Sequence, residues 1–600
     1  MKLSEYIAQK LADYGIRHVF MITGGGAMHM NHALGTHPQL ECVFNHHEQA
    51  SAMAAEAYYR LSNRLAVVNV TSGPGGTNAI TGVYGAWTDS IGMLVLSGQV
   101  KYETTVRSTG LPLRQYGDQE LDIEQLVRPI TKYCVMVSDP STIRYHLEKA
   151  LYLATHGRPG PVWLDIPLNV QAAMIDPDTL AGFDPAELDA PWQATDLAQS
   201  AAAILARLAQ AERPVVFAGA GVRLSGAHEA FLDLVRKLGI PVVTGWNAHD
   251  AIWDAHPNYV GRPGTVGDRP GNFAVQNADL LLVLGSRLNI RQISYNWTSF
   301  ARAAYKIWVD IDPLELQKPT VRPDMPVVAD LGQLMPLLNA VPYAGPSAAH
   351  VQWLAWCKER QASFPVLQPE YWDNAQVNPY CFIDALFAQL PEDQICVAAN
   401  GSACVVGFQA ANLKPGQRLF TNSGCASMGY DLPAAIGAVK ASGGQPVVCL
   451  AGDGSIMMNL QELQTIAGNH LPVKIFILNN KGYVSIFQTQ RNFFKGDEVG
   501  AGPQSGVSLP AFEKLSLAFG LPYRVAANHA GLADAVAATM AVDGPAVCEI
   551  MLDEQQAFAP KLSSRQLPDG RMVSPALEDL SPFLPREVLR ENMIIPMEEE

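Results

Sequence analysis

The chain has 600 residues, with 42 Lys and Arg against 57 Asp and Glu, and a formal net charge of −15. That balance excludes a general nucleic-acid binder, which presents a basic face. The longest apolar runs, such as Leu280–Leu284, are too short to span a bilayer, and nine cysteines without a CxxC pair exclude a Cys-ligated zinc site or a disulfide framework. Only 16% of residues are charged and 48% are hydrophobic, enough for several cores and for surface covered by other copies of the chain. At roughly 150 residues per domain, the length corresponds to about four domains or three large ones.

From the N-terminus, short apolar runs alternate with helical stretches. Arg17–Met21 reads as a strand, followed by Thr23-Gly24-Gly25-Gly26 and a helix carrying His29 and His32. Leu40–Phe44 is a strand ahead of a helix from about Glu48 to Leu61. Leu65–Val70 leads into Thr71–Thr77 (TSGPGGT) and another helix, and Met93–Ser97 and Val162–Ile166 are further strands. Strands separated by helices imply parallel α/β sheets.

A polar, Pro-containing stretch near Asp176–Thr195 reads as a linker. After it, Pro214–Ala218, Val242–Thr244, Leu280–Leu284 and Lys306–Val309 are strands of a middle block, closed by a second linker over Val341–Ala349. The alternation resumes at Gln394–Ala398, Val447–Leu450, Val473–Leu478 and Ala546–Ile550. The expected architecture is α/β, with three doubly wound parallel-sheet domains at 1–175, 195–345 and 375–560. Residues 561–600 are expected to form an extended tail over the other domains, because Leu, Phe, Met and Ile recur in it.

The strongest constellation lies in the third block. Gly452-Asp453-Gly454-Ser455 follows one strand, and Asn480, separated from Gly454 by twenty-five residues, follows the next. A strand–helix–strand unit returns the chain to the same sheet edge, so Asp453 and Asn480 lie side by side where ligands bind. A carboxylate beside an amide oxygen is hard-oxygen ligation suited to Mg²⁺, and the glycines let backbone N–H groups approach a diphosphate.

With GDGSIMMNLQELQTI and LPVKIFILNNKGY in place, the chain resembles the thiamin-diphosphate-dependent enzymes, and among them the acetolactate (acetohydroxyacid) synthase group. The resemblance implies thiamin diphosphate held through Mg²⁺ on Asp453, Asn480 and the Gly482 carbonyl, with Gly452, Gly454 and Ser455 at the diphosphate. It also implies an activating glutamate bonded to the cofactor's aminopyrimidine. Asn45-His46-His47-Glu48, which opens a helix, assigns that role to Glu48. Ser423–Gly437 resembles the segment that supports the bent cofactor, with Met428 between its rings. Gly24, Gly25 and Ser72 fall on the cofactor-side loops.

In the middle block, Gly219–Arg223, Gly285–Arg287 and Asp310–Pro313 each end a strand, which suggests an adenine-nucleotide crevice. The resemblance implies FAD there, contacted by Gly221, Arg223, Gly285, Arg287, Asp310 and Asp330. An empty domain, as in many decarboxylases of the superfamily, is the alternative.

The sequence also departs from the synthases. Asp118-Gln119-Glu120 stands where they carry Phe-Gln-Glu, Thr23 replaces a proline, and the run after Asn480 reads NNKGYVSIFQTQRNFF. His29 and His32 lie on one helical face, where they serve as acid or base with Gln119 or else simply cover the helix. These departures resemble carboligases of sugar and secondary-metabolite pathways. The expectation is a carboligase that decarboxylates pyruvate or a similar 2-oxo acid and passes the acyl unit to an aldehyde or ketone. A true acetolactate synthase is the first alternative, and a decarboxylase or C–C bond hydrolase the second. A homodimer or homotetramer in the cytoplasm is expected, with small-molecule substrates and neither nucleic acid nor membrane as partner.

Overall fold

The computed structural model describes residues 1–188, 196–494, 497–566 and 569–598. The linker expected near Asp176–Thr195 falls partly outside the described residues, at 189–195. Three six-stranded parallel sheets with flanking helices make up the architecture, as the alternation of strand and helix implied. The first contains β1 (His18–Met21), β2 (Glu41–Phe44), β3 (Val67–Val70), β4 (Met93–Gln99), β5 (Tyr133–Met136) and β6 (Pro161–Pro167), in the order 2-1-3-4-6-5. The middle sheet contains β7 (Pro214–Ala218), β8 (Val242–Thr244), β9 (Tyr259–Gly261), β10 (Leu280–Leu284), β11 (Tyr305–Asp310) and β12 (Met325–Val328), in the order 12-11-10-7-8-9. The third contains β13 (Ile395–Ala398), β14 (Arg418–Phe420), β15 (Val447–Gly452), β16 (Val473–Asn479), β17 (Tyr523–Ala526) and β18 (Ala546–Met551), in the order 14-13-15-16-18-17.

Two facts follow from these orders. The third sheet repeats the order of the first strand for strand, so both reverse direction beside their first strand. The middle sheet has the order of dinucleotide-binding folds, with its reversal between β7 and β10. Ligands bind at such reversals, outside the carboxyl ends of the strands, because neighbouring loops diverge there and leave a crevice.

β5, β9, β12, β14 and β17 were not legible as strands in the sequence, and each is a sheet edge. β9 and β14 have three residues, and β5 and β17 are half-exposed, so none carries the buried apolar run that marks an inner strand. β10 (LLLVL), by contrast, is buried throughout.

The first and third blocks share one continuous apolar core. Its seam is helix Glu48–Ser62 against helix Asp431–Ala441. A Cβ on Gly437 would lie 2.0 Å from the Ala54 carbonyl oxygen, so only glycine allows this approach. At the same seam, Arg60 is buried and bonds Glu56 and Asp89, while the Tyr430 hydroxyl donates to Glu56.

Asp250 ties the middle block to the third. Its carboxylate receives Arg223 Nε at 2.9 Å and Arg418 Nε at 2.7 Å. Burial alone would raise this carboxyl, but the two guanidinium groups overcome it and hold the pKa at about 2, below the ordinary 3.8. Because the folded value lies below the unfolded one, the stabilisation is complete above about pH 4 and is lost as pH falls through 2. Asp250→Asn is expected to cost about 3 kcal/mol of stability at pH 7 by leaving buried guanidinium charge uncompensated. Denaturant unfolding at pH 7 and pH 3 checks this, with a smaller difference between variant and parent at pH 3.

The C-terminal stretch lies over the middle block. Leu577 enters its core, Asn272 Nδ2 donates to the Leu577 carbonyl at 2.8 Å, and Glu578 accepts from Gln276 and Arg302 at 2.6 and 2.8 Å. No helix among the described residues is long and apolar enough to cross a membrane.

Candidate active site

At the reversal of the third sheet, β15 ends in the Gly452–Ser455 loop and β16 in Asn479–Gly482. The Asp453 carboxylate joins them, accepting Gly454 N–H at 2.7 Å on one oxygen and the Asn480 and Gly482 N–H groups at 3.0 Å on the other. Asp453 is 1% exposed, and burial pushes its pKa up to about 7 despite these bonds. Asn480 Nδ2 donates to Ser402 Oγ at 3.2 Å, while its buried Oδ1 has no partner. A buried carboxylate without a counter-charge beside an orphaned amide oxygen is a donor set that fits a hard divalent cation. Among the described residues, no cluster of three His, Cys, Asp or Glu side chains competes with it as a metal site.

Ser455 is spoken for within the protein. Its hydroxyl donates to Asp431 Oδ2 at 2.8 Å and accepts Gly429 N–H at 2.9 Å. It therefore fastens the Gly452–Ser455 loop to the segment bearing half-buried Met428.

Sequence reasoning missed the turn at the end of β13, directly across the reversal. Gly401 (φ +87°) starts helix Ser402–Ala410, Ser402 holds Asn480, and Asn400 Nδ2 bonds Asn422 Oδ1 at 2.6 Å and the Ser427 carbonyl at 2.9 Å. The signal was available, because Asn-Gly-Ser follows a strand in the same way that Gly-Asp-Gly-Ser does.

The first sheet builds the matching crevice. Gly24–Gly26 follows β1 and Thr71–Gly76 follows β3, and Gly26 N–H donates to Thr71 Oγ1 at 3.0 Å. Ser72 is buried at this junction. Gln119, itself at φ +60°, rests its carbonyl where a Cβ on Gly73 would lie 2.6 Å away. Glu48 opens its helix half-exposed, with Asn78 Nδ2 donating to its Oε2 at 3.0 Å. The fold thus gathers Gly24, Gly25, Ser72, Gln119 and Glu48 at one edge. His29 is half-buried and His32 exposed on the next helix, and neither imidazole has a hydrogen-bond partner among the described residues. Asp118 is exposed. Within the described residues of one chain, no hydrogen bond joins Glu48 to Asp453 or Asn480.

At the reversal of the middle sheet lies a cavity of about 310 Å³. Gly221, Gly285, Arg287, Asp310 and Asp330 line it. β7 and β10 meet so closely there that a Cβ on Gly221 would lie 2.7 Å from Gly285 Cα. Asp310 is 6% exposed, and burial lifts its pKa to about 6. A buried acid, paired glycine turns and an arginine suit the ribose and phosphates of a dinucleotide. Arg223 does not line the cavity, because its guanidinium is engaged with Asp250. Arg60, Asp89 and Ser423 close the cavity from the other two blocks, and Asp89 accepts Gly424 N–H at 3.0 Å.

Paired crevices on two sheets of one topology, one beside Glu48 and one between the Gly452–Ser455 and Asn479–Gly482 loops, point to the thiamin-diphosphate enzymes. Family models agree: the N-terminal thiamine pyrophosphate (thiamin diphosphate) binding domain matches residues 1–126, the central domain 201–338 and the C-terminal binding domain 399–550. The chain belongs to the acetolactate synthase-like family of these enzymes. It is 31% identical to acetolactate synthase isozyme 1 large subunit of Escherichia coli over 564 residues, covering 93% of this chain and 95% of that protein. It is also 31% identical to acetolactate synthase 2, chloroplastic, of Zea mays, over 94% of this chain and 87% of that one. For the probable acetolactate synthase large subunit of Methanocaldococcus jannaschii, identity is 31% over 93% of each.

Proposed function

We propose that the protein is a thiamin-diphosphate carboligase of the acetolactate synthase type, which decarboxylates pyruvate and joins its acyl unit to a second 2-oxo acid. The observation that carries the reading is Asp453 beside the orphaned Oδ1 of Asn480, next to the reversal of a sheet whose topological twin presents Glu48. The names of the full-length relatives support a 2-oxo acid acceptor over the aldehyde or ketone acceptor expected from the sequence departures. Asp118 and the segment after Asn480 support the latter as the second reading. Decarboxylation without ligation has no observation in its favour.

Thiamin diphosphate would supply the electron sink for decarboxylation. The chain's residues bind, orient and move protons. Asp453, Asn480 and the Gly482 carbonyl would hold Mg²⁺, a hard cation that favours diphosphate oxygens. Met428 would support the bound cofactor. Glu48, whose Oε1 has no hydrogen-bond partner among the described residues, would hydrogen-bond the aminopyrimidine and hold or move a proton there. Gln119, His29 and His32 line the substrate side. In this reading the domains are 1–175 for the pyrimidine, 195–345 for FAD and 375–560 for the diphosphate, with a tail at 561–600.

Two copies complete each site, in a dimer or a tetramer. Support comes from Phe44, Tyr84 and Trp87, apolar side chains left exposed on the first block, and from the absence, among the described residues of one chain, of any bond between Glu48 and the metal loop. The cysteine usage supports a cytoplasmic setting.

Pyruvate alone, supplied with thiamin diphosphate, Mg²⁺ and FAD, is expected to yield acetolactate. Product that forms only when an aldehyde or ketone is added would favour the second reading.

FAD in the middle cavity is the associated assignment. Arg287→Ala and Asp310→Asn are each expected to weaken flavin binding about tenfold to a hundredfold, the scale of a lost charged hydrogen bond. Flavin absorbance retained through gel filtration measures it. Undiminished retention in both variants would remove these residues from the site.

A further inference from the structure

Glu462 lies seven residues beyond Ser455 and is fully buried, at 0% exposure. Its carboxylate does not serve the third block alone. Oε1 accepts His46 N–H at 2.9 Å, and Oε2 accepts Asn45 Nδ2 at 2.9 Å and the Thr465 hydroxyl at 2.7 Å. Asn45 and His46 form the turn between β2 and the helix that Glu48 opens. Asn45 is itself held by Ser51 Oγ at 3.1 Å and by its own N–H to the Met21 carbonyl at 3.1 Å. The turn therefore has its own anchors in the first block, yet takes two more from a residue over 400 positions away in sequence. On the other side, Asn459 Nδ2 donates to the Gly429 carbonyl at 2.7 Å, beside Met428. The short run from Asn459 to Glu462 thus touches both the Met428 segment and the turn carrying Glu48.

A buried carboxylate is costly unless its bonds are needed, and an apolar residue would fill this seam without that cost. Two bonds from one carboxylate to a backbone N–H and a side-chain amide hold the turn in position and orientation, whereas one contact would leave a hinge. We propose that Glu462 is a positioning residue that fixes the Glu48 turn against the third block of its own chain, so that the length of its side chain governs how well Glu48 meets the cofactor. The proposal rests on Glu48 being the activating acid.

The length argument gives a test that separates positioning from charge and from stability. Glu462→Asp keeps the charge and both acceptors but draws the turn in by one methylene. Glu462→Gln keeps the length and bonds the turn once the Asn45 amide rotates. The readout is exchange of the C2 proton of bound thiamin diphosphate in D₂O, followed by quenched NMR, alongside the cofactor's Kd with Mg²⁺. Glu462→Asp is expected to slow exchange at least about tenfold, and Glu462→Gln less than about threefold, with Kd within about twofold in both, since displacements near 1 Å suffice for such losses. Exchange in Glu462→Asp within about twofold of the parent, or Glu462→Gln as slow as Glu462→Asp, would overturn the proposal. If Glu462→Asp does not fold, Asn45→Ala, which removes one of the two links, is read by the same measure and limits. Glu48→Gln is run beside them. Parental exchange in that variant defeats the assignment of Glu48, whereas abolished exchange there with parental exchange in Glu462→Asp defeats only the role of Glu462.

Discussion

Glu48→Gln is expected to lower turnover roughly 100- to 10,000-fold, the range that a positioned acid–base group contributes. The change is nearly isosteric, and Glu48 is half-exposed with a single side-chain bond, to Asn78. Gln retains an oxygen for that bond, so the unfolding midpoint is expected to stay within the ±0.5 kcal/mol typical of exposed sites. Steady-state turnover with pyruvate, thermal unfolding and cofactor Kd form the set of measurements. Loss of turnover with unchanged folding and near-parental cofactor affinity is the expected pattern. Turnover within about tenfold of the parent would remove Glu48 from the proton-transfer role. Among the acids of this helix, Glu56 cannot substitute for it. Glu56 is 1% exposed and consumed by Arg60 and Tyr430, and burial raises its pKa.

The second large effect is at the metal. Asp453→Asn is expected to weaken thiamin diphosphate binding in Mg²⁺ at least about 100-fold, on the scale of a lost charged contact of about 3 kcal/mol. Asn480→Ala is expected to act in the same direction, because it removes the one buried amide oxygen in the loop that has no protein partner. In the cofactor-free protein both variants are expected to lower the unfolding midpoint. Asp453→Asn turns an amide NH₂ toward backbone N–H groups that the carboxylate accepts on its two oxygens. Asn480→Ala leaves Ser402 Oγ without its donor. Fluorescence titration of the cofactor with Mg²⁺ and with EDTA, plus thermal unfolding of each apo-protein, tests both. Parental affinity in Asp453→Asn would place the metal elsewhere.

How much of this was legible in the chain can be followed residue by residue. The inner strands announced themselves because each is a short buried run between glycine-rich turns. Apart from β2, read as Leu40–Phe44, the edge strands did not, being either very short, like β9 and β14, or exposed enough to break the apolar pattern. Gly-Asp-Gly-Ser and Asn-Asn could be paired from sequence because one strand–helix–strand unit fixes their geometry. The Asn400–Ser402 turn could have been paired by the same rule. Glu462 carried no such signal: it sits in a helix, and its partners belong to another sheet. Arg223 was read as facing the cavity because it follows a Gly-rich strand end, but a four-residue helix turns it onto Asp250 instead.

The sequence by itself determined the class of fold, the three blocks and the chemistry-bearing strand ends, because these depend on local periodicity and on motifs confined to one βαβ unit. Only the tertiary structure decided which strand ends become neighbours. Sheet order is set by long-range packing: it put β7 beside β10 to open the middle cavity, and it gave the first and third sheets the same reversal. The same packing left Asn480 Oδ1 orphaned and Asp453 without a counter-charge, and it bound the Glu48 turn to Glu462 through two hydrogen bonds that no local pattern encodes.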